Sequence, residues 1–308
     1  MKYLQLVRWK NLLMIAYIFI LIKFFFLTTL NIPTFLDDIQ FALFMASIIF
    51  ISAAGYIIND IYDVEIDTIN KPKKVIIGKY VSKNTAFNIY FAFNTLGLAL
   101  GFYLSYIIGH LNFAFIYVAS SLLLYQYAMT LKRSFIIGNL LISILAGLSI
   151  FIIALYDLLP AIEEDNIEVI SQAFKVIGTY AGFAFFITLI REIVKDMEDI
   201  KGDRKFNVKS LAVEFGIEWT KKITSIITLI PLIAIFYYSL NFLSQQVYSI
   251  SYVMIFIELP LLYFLIKINL SNEKSDFKKL SNLLKFIMFT GISSIFVFTL
   301  IFKIIYVN

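Results

Sequence analysis

The sequence predicts an all-α, polytopic membrane protein of about nine transmembrane helices, and three observations predict it. Hydrophobic residues make up 60% of the 308 residues and charged residues only 15%, whereas soluble domains carry roughly a quarter charged. Apolar runs long enough to cross a bilayer, roughly 20 residues each, recur along the whole chain. The charges between them alternate: one set of connections is rich in Lys and Arg and the other is nearly free of them. No polar linker divides the chain, so residues 1–308 are expected to form a single transmembrane domain.

By length and hydropathy the spans fall at 12–30, 38–58, 85–108, 111–129, 135–157, 174–194, 221–240, 250–270 and 284–306. The first has a basic start and an apolar run without a small-residue cleavage site, and is expected to be retained rather than removed as a signal peptide. Lys2, Arg8 and Lys10 precede it. Lys71, Lys73, Lys74, Lys79 and Lys83 follow the second span, and Lys132 and Arg133 follow the fourth. A further group from Lys195 to Lys222 follows the sixth. The opposite connections hold Asp37 and Asp38, and then Asp157, Glu163, Glu164, Asp165 and Glu168. The positive-inside rule then puts the N-terminus and the Lys-rich connections in the cytoplasm and the C-terminus outside. Lys23, inside the first span, is the one misfit. It is expected to snorkel toward the outer interface, with no functional role.

With no cysteine and one histidine, disulfides, thiolate metal sites, cysteine nucleophiles and multi-histidine metal sites are excluded. Chemistry has to rest on carboxylates, Lys, Arg, Tyr and an oxygen-bound metal. His110 lies in an outer connection and reads as structural or exposed.

Two segments repeat the pattern D-x-x-D-x-x-x-D: Asp60, Asp63 and Asp67, then Asp196, Asp199 and Asp203. Each begins at the cytoplasmic end of an even-numbered span, and the order of spans around them predicts two related four-helix halves plus a ninth helix. The spacing i, i+3, i+7 stacks three side chains on one helix face. Like charges so placed repel unless a cation lies between them. Carboxylate oxygens are what Mg2+ prefers, one or two at a time together with substrate phosphates. Two clusters facing each other are therefore expected to hold Mg2+ around a diphosphate. Lys132 and Arg133 at a third helix junction, with Arg191 and Lys195 just before Asp196, are placed to take the remaining phosphate oxygens.

These residues resemble the UbiA superfamily of intramembrane prenyltransferases over most of the chain. The first motif of that family, N-D-x-x-D-x-x-x-D, is matched by Asn59, Asp60, Asp63 and Asp67, and its second by Asp196, Asp199 and Asp203. Tyr127 to Arg133 with Gly138-Asn139 is similar to the segment between the motifs, and Arg8 and Asn11 are similar to the N-terminal R-x-x-N. The stretch Arg191 to Asp203 is most similar to the geranylgeranylglycerol-phosphate geranylgeranyltransferase branch. The resemblance implies a nine-helix fold open laterally to lipid and Mg2+-dependent transfer of a prenyl group from a polyprenyl diphosphate. It also implies that the six aspartates bind the metal and that Asn59, Lys132, Arg133, Lys195, Arg8, Asn11 and Arg191 bind the diphosphate. Tyr62 and Tyr127 are weak candidates for stabilising an allylic cation.

The expected acceptor is a lipid or aromatic molecule. A glycerol-phosphate ether is one possibility and a quinone precursor (homogentisate, 4-hydroxybenzoate or naphthoate) another. The bilayer is the expected surroundings, in a bacterial or archaeal inner membrane, with no nucleic acid and no protein partner. A reading of another class, a membrane transporter, expects its acids near the bilayer midplane rather than at helix ends.

Overall fold

The computed structural model describes residues 2–242 and 246–306, and every regular element among them is helical. Nine helical segments among the described residues are long and apolar enough to cross a membrane. A short α1 (Lys2–Leu6) leads into α2 (Trp9–Ile20), which continues in wider π-type turns to Leu27 as the first span. The second span is α3 (Asp38–Tyr62), followed by a short α4 (Val64–Asn70). The next spans are α5 (Lys83–Ile107), α6 (Ala114–Met129) and α7 (Ile137–Ile153, with π-type turns to Leu158). Then come α8 (Ile167–Lys205), a short α9 (Leu211–Glu214) and α10 (Gly216–Phe242). The eighth span joins α11 (Val247–Val253) to α12 (Leu259–Leu270), and α13 (Lys274–Tyr306) is the ninth.

Caps fix where these helices begin. Asp37 accepts from the Gln40 backbone N–H while the Gln40 side chain accepts from the Asp37 N–H, a reciprocal capping box that starts α3. Ser82 accepts from Thr85 N at 3.1 Å and starts α5. One core, including Phe19, Phe41, Phe44, Tyr117, Tyr156 and Ile177, joins the first, second, fourth, fifth and sixth spans. A second, including Ile190, Val194, Phe264, Phe277 and Leu284, joins the sixth span to the eighth and ninth.

Four sequence expectations change. The sixth and ninth spans, expected at 174–194 and 284–306, belong to helices of 39 and 33 residues. Hydropathy detects the apolar part of a helix, whereas backbone hydrogen bonding carries on past it into water. The first aspartate triplet does not lie on one helix: α3 ends at Tyr62, Asp63 caps it, and Asp67 belongs to α4. Lys23 does not snorkel outward. It is 3% exposed and donates to Asp157 Oδ2 (2.9 Å), Thr34 Oγ1 (2.8 Å) and the Leu36 carbonyl (2.7 Å). Asp157, expected in a connection, is fully buried at the end of the fifth span and also accepts from Leu36 N at 2.8 Å. An ammonium with a carboxylate, a hydroxyl and a carbonyl around it needs no route to water.

Candidate active site

Both aspartate clusters lie at the same end of the bundle, and contacts between them show that they face each other. Asn70, at the end of α4, does the joining. Its Oδ1 accepts from Gly202 N at 2.9 Å, its Nδ2 donates to Asp203 Oδ1 at 3.5 Å, and its carbonyl accepts from Lys274 Nζ at 2.6 Å. A Cβ at position 202 would collide with the Asn70 side chain, so the glycine is what lets α4 dock against α8. Lys71, the next residue, forms an ion pair with Asp199, and Lys274 Nζ lies 3.8 Å from the other oxygen of that carboxylate.

The first cluster is held from its own side. Arg8 occupies the left-handed turn between α1 and α2 (φ 51, ψ 49), which aims its guanidinium at Asp60 Oδ1, 2.8 Å away. The Tyr56 ring lies beneath it at 5.0 Å. Asn11, one turn on, donates to Tyr56 OH at 3.3 Å. Asn59 Nδ2 donates to Asp63 Oδ2 at 2.7 Å, and Lys132 pairs with Asp63 Oδ1. Lys132 reaches it from a single 3-10 turn, Leu131–Arg133, that folds back on the start of α7. A Cβ at Gly138 would sit 2.9 Å from Lys132 Cα, so that position has to be glycine for the turn to close. Ile136, between them, takes φ 51, a strained conformation for a β-branched residue.

In the second cluster Asn139 Nδ2 donates to Asp196 Oδ2 at 2.7 Å. Glu192, one turn earlier, accepts from Lys195 at 2.7 and 2.9 Å and from Arg191 Nη1 at 3.2 Å. Tyr127 lies within electrostatic range of Glu192, Asp196, Asp203 and Arg8.

Charge balance around α4 follows from burial. Burial lifts the Asp67 carboxyl above the usual range, and Lys71 offsets this only in part. Burial works against the Lys71 ammonium, yet Asp199 and Asp67 hold it above lysine's usual value. Burial pushes Lys132 down to about 8, with Asp203 pulling the other way.

Among the described residues no three acidic side chains converge on a common point; amides and ammonium groups stand between them. The donor set still fits a hard divalent cation. Asn59 Oδ1 and Asp199 Oδ1 are buried oxygens that accept no hydrogen bond. Together with the carboxylates they form an all-oxygen set of the kind Mg2+ takes.

The structure therefore brings Arg8, Asn11, Asn59, Lys132, Arg191, Lys195 and the six aspartates to one end of the bundle. It leaves Arg133 exposed, with its carbonyl accepting from Lys209 N at 3.1 Å. Tyr62 pairs with the Tyr125 hydroxyl at 3.1 Å, and His110 is exposed and stacks on Phe113. Sequence reasoning assigned no role to Asn70, Lys71, Asn139, Glu192 or Lys274. Glu192 carried a readable signal, an acid between two cations in an apolar run. Asn139 was marked only by the family-like Gly138-Asn139 pair and Asn70 by nothing, because the roles of both amides depend on which helices meet.

Residues 10–291 match the UbiA prenyltransferase family. The digeranylgeranylglyceryl phosphate synthase of Saccharolobus solfataricus is 38% identical over 185 residues, a match spanning 59% of each chain. That of Korarchaeum cryptofilum is 34% identical over 251 residues, 78% of each. The fold is also that of a UbiA homologue from Archaeoglobus fulgidus solved with GPP and Mg2+, with a TM-score of 0.55 and 19% identity over 96% of this chain and 99% of that one. With the family match covering all but the ends of the chain, this integral membrane protein belongs to the UbiA prenyltransferase family.

Proposed function

We propose that this chain, acting as a single transmembrane domain, is a Mg2+-dependent prenyltransferase that moves a prenyl group from a polyprenyl diphosphate to a glycerol-phosphate ether lipid. The observation that carries the reading is the meeting of two aspartate triplets at one end of the bundle, with lysines, an arginine and unsatisfied oxygens between them. The names of the Saccharolobus and Korarchaeum relatives support the acceptor, and the GPP and Mg2+ in the Archaeoglobus homologue support the donor and the metal.

In this reading Asp60, Asp63 and Asp67 on one side, and Asp196, Asp199 and Asp203 on the other, hold the metal, with Asn59 as a neutral oxygen ligand. When bound, Mg2+ supplies charge neutralisation for a departing diphosphate. The protein's own part is to orient and to pre-position charge. Arg8 and Lys132, fixed by turns at helix ends, face the oxygens that the metal leaves free, with Asn11 bracing Tyr56 beneath Arg8. Arg133 is a further anion-binding residue in this reading, whereas Arg191 and Lys195 both pair with Glu192 on α8. Tyr127 offers a ring face beside the reacting carbon. The bond between the prenyl C1 and the diphosphate oxygen breaks with its electron pair leaving on the diphosphate, and the acceptor hydroxyl oxygen bonds C1 as its proton passes to the released diphosphate. The surrounding apolar spans keep water from competing.

The Lys and Arg at the aspartate end support an orientation with that end and the N-terminus in the cytoplasm and the C-terminus outside, in the cell's inner membrane.

The test uses purified protein in detergent with Mg2+ and geranylgeranyl diphosphate. Candidate acceptors are glycerol-1-phosphate, its geranylgeranyl ether, 4-hydroxybenzoate, homogentisate and dihydroxynaphthoate, with products read by mass spectrometry. The expected result is one product, from the phosphate ether, that disappears with EDTA and in Asp63→Ala and Asp199→Ala. Product from an aromatic acceptor alone moves the protein to quinone synthesis. No product and no diphosphate release overturn the enzymatic reading.

A further inference from the structure

The basic residues at the aspartate end fall into two groups. Arg8, Lys71 and Lys132 each form an ion pair with an aspartate of the clusters. Arg191 and Lys195 do not; both turn to Glu192. They lie four residues apart on α8, so both project from one face of that helix. The neighbouring helix adds a third cation. Helix α13 packs on α8 through Leu280, Leu284 and Ile287 against Ile187, Ile190 and Val194. Lys285, beside Leu284, therefore stands next to α8, within electrostatic range of Arg191 and Lys195 and also of Lys74 and Arg8.

Arg191 and Lys195 share one carboxylate, and Lys285 beside them brings the local excess to two positive charges. Arg191 Nε is buried and donates to nothing, although its neighbours could have been arranged to satisfy it. Like charges held together at the edge of an apolar bundle are costly unless an anion completes them. Glu192 fixes the two α8 side chains in place but is too little charge to balance them.

The surroundings indicate what kind of molecule carries that anion. The first and ninth spans run parallel. They close on each other at Tyr17, whose ring stacks on Phe289 at 5.4 Å and whose hydroxyl meets Ser293 at 3.0 Å. One turn nearer the aspartate end, at the level of Lys285, Leu13 and Phe286 are both exposed. The basic group thus opens beside an apolar seam between α2 and α13 that faces lipid.

We infer that Arg191, Lys195 and Lys285 form a second anion subsite, adjoining the metal-diphosphate site, which holds the phosphate of the acceptor lipid while its tail lies along the seam between α2 and α13. A phosphomonoester carries about −1.5 to −2 charges near neutral pH, which matches the excess. Arginine presents a fork to such a group, and the two lysines act as point charges. The subsite explains how one enzyme keeps two anionic substrates from exchanging places: the donor's diphosphate is taken with metal between the triplets, and the acceptor's phosphate is taken without metal one turn away on α8. The inference rests on the prenyl-transfer reading for the name of its ligand.

Lys285 is exposed, so Lys285→Gln leaves the core intact. In steady-state assays of the full-length enzyme with geranylgeranyl diphosphate, the variant is expected to raise KM for the phosphate ether about tenfold, the loss of one charged hydrogen bond. KM for the diphosphate should stay within about twofold, and Arg191→Lys should lose less than Arg191→Gln. The dephosphorylated acceptor, geranylgeranylglycerol, should bind wild type and variant alike.

An equilibrium arm separates this inference from the proposed activity. Binding of the phosphate ether is measured calorimetrically without donor or Mg2+, on wild type and Lys285→Gln. Weaker binding by the variant supports the subsite even if no acceptor is ever turned over. A rise in KM for the diphosphate alone, or equal binding of the phosphate and the alcohol by wild type, overturns it.

Discussion

At the scale of single residues, the aspartates are held apart by partners that a metal, in the proposed reading, has to displace. Asp60 has Arg8, Asp63 has Asn59 and Lys132, Asp196 has Asn139, Asp199 has Lys71, and Asp203 has Asn70. Asp67 bonds through its backbone, to the Asp63 carbonyl and from Lys71 N, and burial raises its carboxyl above the usual range. Lys71 and a divalent cation compete for the same oxygens of Asp199. Removing the lysine charge therefore strengthens metal binding in the absence of donor. Two unit charges about 4 Å apart interact by roughly 1 to 4 kcal/mol between water and a protein surface. Lys71→Gln is thus expected to bind Mn2+, used as a paramagnetic substitute, about tenfold more tightly in a spin-resonance titration. Turnover should fall, since the displaced ammonium is then missing from the diphosphate. Unchanged or weaker Mn2+ binding would mean that Lys71 is not the competitor. Asp199→Asn should bind Mn2+ more weakly than wild type and lose about a hundredfold or more in turnover.

At the scale of elements, the site depends on how helix ends meet, and that is where sequence and structure part company. The two triplets were legible because a repeated like-charge pattern at span ends has few other uses. That the first bends at Asp63 while the second runs straight through α8 was not legible, since the spacing alone is the same in both. Nor could the docking of Asn70 on Gly202 be read, because it requires knowing that α4 lies across α8. Gly202→Ala tests that joint. Overpacking costs about 1–3 kcal/mol, so a lower melting temperature is expected, with Mg2+-dependent activity lost before global unfolding. Retained stability and activity would show that α4 is free to move aside.

Lys23 and Asp157 are a second joint, between the π-type turns of the first and fifth spans. Either substitution alone, Lys23→Met or Asp157→Leu, leaves a buried charge unpaired, a cost of about 3–5 kcal/mol. The double substitution removes both charges and should recover most of the loss. A double-mutant cycle on melting temperature in detergent reads this directly. Additive losses would mean that the two residues act through other partners.

At the scale of the whole molecule, the nine spans among the described residues followed from hydropathy, because lipid allows a spanning backbone few alternatives to the helix. Span edges did not follow: helices project beyond the bilayer wherever their polar ends find partners, as α8 does through Lys195–Glu192 and Asn139–Asp196. Orientation is a matter of charge. Lys79 lies exposed in the connection between α4 and α5 at the aspartate end, and Glu164 lies exposed in the connection between α7 and α8 at the other. The chain has no cysteine, so one introduced thiol at a time reports its side without background. Treating intact cells with a membrane-impermeant maleimide is expected to label Glu164→Cys. Lys79→Cys should react only after the membrane is opened. The reverse pattern would turn the whole bundle over. It would put the aspartate end outside, away from a cytoplasmic supply of prenyl diphosphate, and the proposed reaction would then need its donor delivered across the membrane.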